Sequence, residues 1–350
     1  MEHPVQKTLL STTLAAVLIA GCASGSASRP VPPSSVSAVV DRPGASPGDV
    51  IAFSPLVSLS LDRTRTETSL QPPGIDATTG VRISRLTYRS SINGQLVDAS
   101  ALIAVPATDA PLKGVVLYLR GSDIPRSAAP TNPQAIPITQ ASVFGGNGYA
   151  VVMPDYLGFG ASPPPQAFLL TQENVADFRA ALEAARNVLG LQAEAPLFVM
   201  GFSQGGQLSA AFVRDVEARP LEGFGLRGTV AVAGPHELVE SLRRRLRPPL
   251  SSDPTAIGYV AWGAYTYAWR TGRPMEDIFT PAYAPRVAQW FGGDMEIPEI
   301  LAEFPATANA LFQPDFLRAV EGNDSSFWFI GCCARTRPSI LCRIRLFGWC

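Results

Sequence analysis

The stretch Gly201-Phe202-Ser203-Gln204-Gly205 sets a serine between glycines, after the apolar run "APLFVMG" and before a helix-like pattern. Strand, sharp turn and helix in that order leave a hydroxyl exposed over a sheet edge, at the positive end of a helix. That is how a chain presents a nucleophilic serine; the plainer alternative is a tight turn with a spare serine. The chemistry such a serine serves is acyl transfer, which needs donors for a tetrahedral oxyanion. The backbone N–H of Gln204, the residue after the nucleophile, is one donor by position. The second should come from the loop after an earlier strand. Arg120-Gly121-Ser122 follows "VVLYL", and the Ser122 N–H is the candidate there unless this is an ordinary surface turn. A base is also required, and the chain has two histidines, His3 and His236. His3 falls in a leader-like segment. His236, just past "GTVAVAG", is therefore the one candidate base, and a dyad is conceivable because a triad's acid mainly orients the imidazole. Otherwise His236 is a polar residue near a helix start.

The elements that must position these residues are legible as patterns. Two extended segments, 82–90 and 95–105, flank Asn93-Gly94, a strong hairpin signal. In the second, Val97, Ala99, Ala101, Ile103 and Val105 alternate with Asp98, Ser100 and Leu102, as in a half-buried strand. The runs within "KGVVLYLRGS", "GYAVVMP", "APLFVMG" and "GTVAVAG" lack alternation, which suits parallel strands covered on both faces. Between them, Val175, Phe178, Leu182, Ala185 and Leu189 keep helical spacing, with Thr171 as N-cap and Gly190 as C-cap. The alternation predicts an α/β fold, a doubly wound and mostly parallel sheet, with ligands beyond the carboxyl ends of its strands. After Gly234 the pattern turns helical and aromatic, over 237–329. Ile257, Val260, Ala264 and Tyr267 make one helical face, and Trp262, Tyr265 and Trp269 another. Two compatible expectations follow: a helical subdomain packed on the sheet, and a cap whose apolar wall receives an acyl chain.

At 350 residues, 46% hydrophobic and 16% charged, the chain can bury a sizeable core, and its formal net charge of −1 argues against nucleic-acid partners. Lys7 precedes an apolar segment ending Ile19-Ala20-Gly21-Cys22, too short for a comfortable membrane span. It reads as a signal peptide over 1–21 whose end resembles a bacterial lipobox, so that Cys22 would be lipidated and anchor the protein in the bacterial cell envelope. An ordinary secretory signal is the alternative. Residues 22–47, rich in Ser, Pro, Ala and Gly, suit a tether. The body to Gly331 then lacks cysteine, whereas Cys332, Cys333, Cys342 and Cys350 crowd the end. Their spacing suits neither a disulfide framework nor zinc, and no pattern calls for a cofactor or metal.

The segments "PDYLGFGAS", "GFSQGG" and "AVAGPHEL" resemble the secreted-lipase and related esterase branch of the α/β-hydrolase superfamily, over roughly residues 82–329. The resemblance implies an α/β-hydrolase core (48–236) with a helical cap (237–329). It also implies hydrolysis of carboxylic esters, small-molecule or lipid, by a Ser–His–Asp triad working through an acyl-enzyme on Ser203. Two positions depart from it or need care. Arg120 stands where the family commonly has histidine, and Asp155 matches an aspartate that in the family belongs to a structural turn. The triad order Ser, acid, His places the last two members on strands after the cap. Residues 330–350, "IGCCARTRPSILCRIRLFGWC", contain four arginines and no Asp, Glu or His. The two expected strands are missing, as a shift of reading frame after about Phe329 would leave them. Activity as written is then doubtful. The rivals are a non-catalytic envelope lipoprotein that binds apolar ligands, and a serine peptidase on the same fold.

Overall fold

Asn93 and Gly94 take φ values of 56° and 76°, the two positive values that a two-residue hairpin turn demands. They join β2 (Val81–Ile92) to β3 (Gln95–Pro106), paired antiparallel from Ile92 opposite Gln95 to Val81 opposite Pro106. The computed structural model describes residues 44–69, 71, 75–191 and 194–335. The leader, Cys22, most of the tether, and residues 336–350 with Cys342 and Cys350 lie outside them.

The other strands are β1 (Val50–Leu59), β4 (Val115–Leu119), β5 (Ala150–Pro154), β6 (Ala195–Phe202) and β7 (Phe224–Val232). They form one seven-stranded sheet in the order β1-β2-β3-β5-β4-β6-β7. β1, β2, β3 and β5 pair antiparallel in turn, while β5, β4, β6 and β7 run parallel. Leu119 at the end of β4 lies opposite Gly201 near the end of β6. The carboxyl ends of these two strands are thus neighbours, as the expected site requires.

Helices cover both faces. α1 (Leu61–Thr68) and α2 (Ile138–Gly145) precede β5; α3 (Thr171–Leu189) and α4 (Gln204–Ala218) bracket β6. Phe178 of α3 and Phe212 of α4 pack with Leu117, Val152 and Val199 on one face. Ala141 of α2 joins Val116, Val151 and Met153 on the other. Two expectations change here. β3 is buried on both faces from Ala99 to Ala104, not half-buried, because its small and aliphatic residues fill both helical layers. Thr171 is not the N-cap of α3 but its first helical residue; Leu170 takes the cap position, and Asn174 Nδ2 donates to the carbonyls of Ala167 and Leu170. Gly190 closes the helix in the left-handed conformation, as read.

A third expectation fails at β7. Its apolar run predicts a strand covered on both faces, yet Thr229 to Val232 are all exposed, Val230 at 52%. β7 is the edge of the sheet, and among the described residues no strand follows it.

After β7 come α5 (Leu238–Arg245), α6 (Pro254–Thr271), α7 (Val287–Trp290), α8 (Ile297–Ala302), α9 (Ala308–Leu311), α10 (Pro314–Gly322) and α11 (Trp328–Arg335). Both faces of α6 are used internally: Ile257, Val260, Ala264, Tyr267, Trp262 and Tyr265 are all buried. Phe168 stacks on Trp262 with centroids 3.8 Å apart, and Trp262 stacks in turn on Phe291 at 6.2 Å. Trp269, the third residue of that face, is half-buried against the same core, so the stripe packs internally, as either expectation allows. α11 continues through Phe329 without a break, with Ile330 and Cys333 buried beside it.

Candidate active site

Ser203 sits between β6 and α4 with φ 54° and ψ −118°. A residue with a Cβ is strained there, by roughly 1–3 kcal/mol. The surroundings hold it in place. Its N–H donates to the Val232 carbonyl of β7 at 2.8 Å, and its own carbonyl accepts from the Gln207 N–H at 3.1 Å. Three glycines let the turn close. A Cβ at Gly201 would strike the Gly205 carbonyl, one at Gly205 the Leu119 carbonyl of β4, and one at Gly206 the Val232 carbonyl. These glycines serve close approach; the left-handed backbone belongs to the serine itself. The Ser203 side chain makes no capping bond to α4, which leaves its hydroxyl, half-exposed, free for chemistry.

Gln204 is the first residue of α4. Its N–H therefore has no partner within the helix and faces the region where the dipole is positive. Its side chain is buried, with both amide atoms unpartnered. The loop after β4 reaches the same place: a Cβ at Gly121 would lie 3.8 Å from Ser203 Cβ and 3.4 Å from the Phe202 ring. Ser122 follows, half-buried. The Arg120 guanidinium lies over the Tyr156 and Phe159 rings at 5.1 and 4.6 Å and donates to the carbonyls of Gly121 and Asp155. The Tyr156 hydroxyl donates back to the Arg120 carbonyl at 2.8 Å. The residue at this position thus fastens the loop after β4 to the loop after β5.

His236 lies one strand over. Its N–H donates to the Gly234 carbonyl, and Gly234 packs so closely on the Gln207 N–H that no side chain fits. The turn bearing His236 therefore abuts the first turn of α4. The imidazole is half-buried and its Nδ1 is buried without a hydrogen-bond partner. In a triad that nitrogen is the one an acid would hold.

Asp155 is committed elsewhere. Fully buried, it accepts from Ser100 Oγ at 2.6 Å, from the Thr131 N–H at 2.9 Å and from the Thr131 hydroxyl. Burial raises its pKa, partly offset by these bonds and by the Arg120 charge. It ties the middle of β3 and the end of β5 to the loop at Thr131. Among the described residues no cluster of three or more His, Cys, Asp or Glu could hold a metal ion. An open depression of about 300 Å³ over the Asn93-Gly94 turn, crossed by the Arg270–Glu173 ion pair, is lined by none of Ser203, Gln204, Ser122 or His236.

The rice cell wall degrading esterase from Xanthomonas oryzae superposes with a TM-score of 0.71 at 20% identity, covering 83% of this chain and 79% of its own. A hydrolase of Legionella pneumophila, itself described as putative, gives 0.71 at 22% identity over 80% and 78%. Candida antarctica lipase A gives 0.55 at 16% identity over 78% and 62%. These likenesses establish the fold. No curated protein matches the sequence. The model of the "Alpha/beta hydrolase family" matches residues 134–341, more than half of the chain. With its strand order, the elbow at Ser203 and that match together, the chain belongs to the alpha/beta hydrolase family.

Proposed function

We propose that the chain is a serine hydrolase of carboxylic esters in which Ser203 is the nucleophile. The observation that carries this reading is the strained backbone of Ser203 at the head of α4, its hydroxyl free of any capping bond. In the reaction the Ser203 Oγ attacks the ester carbonyl carbon, and the carbonyl oxygen becomes the oxyanion. The N–H groups of Gln204 and Ser122 stabilise it from the two loops that meet at Gly121. Collapse breaks the bond to the alkoxide, which takes up the proton given up by Ser203 and departs as the alcohol; water then hydrolyses the acyl-enzyme to the acid and restores the Ser203 hydroxyl. Esterases and a lipase among the structural neighbours support esters as the substrate class.

Proton transfer is the weak step. His236 is the available imidazole, and no acid holds its Nδ1. We therefore propose slow turnover, of the order left by an oxyanion hole and binding without a working triad, roughly 10³–10⁴-fold over water. A fluorophosphonate probe should label the chain, and Ser203→Ala should abolish the labelling. Hydrolysis of short- and long-chain p-nitrophenyl esters should be slow and change less than about twofold in His236→Ala. A hundredfold fall in that variant would instead establish a Ser203–His236 dyad. Absence of labelling in folded protein would shift the reading to a non-catalytic binder of apolar ligands. Anchoring through a lipidated Cys22 is proposed alongside; metabolic labelling with palmitate, lost in Cys22→Ala, tests it.

A further inference from the structure

The sheet has two edges, β1 and β7, and both expose apolar residues. On β1 these are Val50, Ile51 and Phe53. Pro55 within that strand has no N–H to offer, and bulges between Val50 and Ala52 and between Pro55 and Val57 break its line. Proline and bulges are devices that keep an edge from pairing with another chain. β7 has neither from Gly228 to Val232: a bulge at Arg227 ends just before this stretch, and the left-handed Ala233 stops it. The five residues Gly228-Thr229-Val230-Ala231-Val232 carry no charge. Thr229 to Val232 are exposed whichever face they point to, so neither helical layer covers them.

The backbone of that stretch fixes what can bind it. The Val232 carbonyl accepts from the Ser203 N–H, so Val232 turns its polar groups toward β6, and Val230 does the same by alternation. Thr229 and Ala231 turn theirs outward, where among the described residues no strand stands. A segment that satisfies them must offer its own N–H and C=O groups at two positions two residues apart. The strand itself has that arrangement. Two copies placed antiparallel about a two-fold axis at Val230 set Thr229 of each opposite Ala231 of the other. Each such pair exchanges two N–H···O bonds, and Val230 meets Val230 at the close position, with Cα atoms about 4.5 Å apart. Val230, Val232 and Phe202, exposed on one face of the sheet, would then form one apolar surface across both copies. Arg227, paired with Glu194, falls opposite Ala233, so no charge meets a like charge.

We propose that β7 is the contact of a weak homodimer, in which the free edges of two copies pair antiparallel about Val230 into one continuous sheet. A contact this short buries less than the roughly 1,200 Å² of standard interfaces, so dissociation at about 10 µM or weaker follows. The inference concerns association alone and does not rest on the proposed function.

The test is sedimentation velocity of the full chain at concentrations on either side of that value. Monomer should give way to dimer as concentration rises. Val230→Lys sets two ammonium groups face to face across the axis and should weaken the dimer at least about tenfold. Phe53→Lys, at the other edge, should change it less than about twofold. With a mild oxidant, Val230→Cys should form an interchain disulfide between the two copies of position 230, since such a bond spans Cα atoms about 4.4–6.8 Å apart. Peptide mapping separates that bridge from those made by native cysteines. A chain that stays monomeric, or a dimer that Val230→Lys leaves intact, overturns the proposal. So does equal weakening by Phe53→Lys. An intrachain bridge from position 230 to Cys342 or Cys350 would mean that the chain's own C-terminal segment occupies the edge, and would overturn it as well.

Discussion

Ser203 and His236 follow adjacent strands of the same sheet, and their surroundings differ in kind. At the end of β6, a carbonyl of β4, one of β7 and one of the turn itself close so tightly that three positions admit only glycine. At the end of β7 the strand is open on one side, its residues 229–232 are exposed, and the imidazole beyond it has a nitrogen with no partner. Each turn also contains one left-handed residue that is not glycine, Ser203 at φ 54° and Ala233 at φ 53°. The contrast teaches that a central position over-determines a strained turn, because neighbours on both sides supply hydrogen bonds and contacts. An edge position supplies half of them.

Four expected outcomes would break or sharpen that contrast. The largest concerns packing. Gly205→Ala drives a Cβ into the Leu119 carbonyl, and should destabilise the protein by about 3 kcal/mol or more in urea unfolding. Gly228→Ala in β7, where the nearest atom is 3.5 Å away, should change stability by less than about 0.5 kcal/mol. Equal effects would remove the distinction between the two strands. Strain comes next. Ser203→Gly should raise stability by about 1 kcal/mol while abolishing probe labelling, and Ala233→Gly should raise it by about half as much. A loss of stability in Ser203→Gly would mean that the observed backbone stores no strain. Third, Val230→Lys should suppress self-association in light scattering while leaving the unfolding midpoint nearly unchanged, since a charge blunts an exposed apolar edge. Smallest is His236→Ala, which removes an unpartnered buried nitrogen; it should shift stability by less than about 0.5 kcal/mol. A loss above about 2 kcal/mol would reveal a partner for the imidazole.

How much of this was legible can be judged residue by residue. The hairpin at Asn93-Gly94 was readable because its turn requires two positive φ values that few residue pairs accept. The elbow was readable because close backbone approach demands glycine at fixed positions around Ser203. The resemblance to the hydrolase superfamily carried the expectation that Asp155 belongs to a structural turn. Its partners Ser100 and Thr131, 55 and 24 residues away in the chain, could not be read from spacing. Nor could the unpartnered Arg120 Nε, because the carbonyls that hold its guanidinium, those of Gly121 and Asp155, come from two separate loops. The stacking partners of the α6 aromatics were equally beyond the sequence: Trp262 lies between Phe168 and Phe291, far from it in the chain.

What the sequence alone determined was local: turn chemistry, the glycine positions around Ser203, and the succession of strands from β2 to β7 with a helix on either side of β6; β1, α1 and α2 were not read. These follow from backbone sterics and from periodicities that act over a few residues. Whether an apolar run becomes a buried strand was decided only by the tertiary structure. "APLFVMG" and "GTVAVAG" read alike, yet β6, with a neighbour on each side, is buried at Leu197, Val199 and Gly201 and half-buried between them, while β7 at the edge is exposed from Thr229 to Val232. Burial belongs to the neighbours that a strand acquires, and those come from distant parts of the chain.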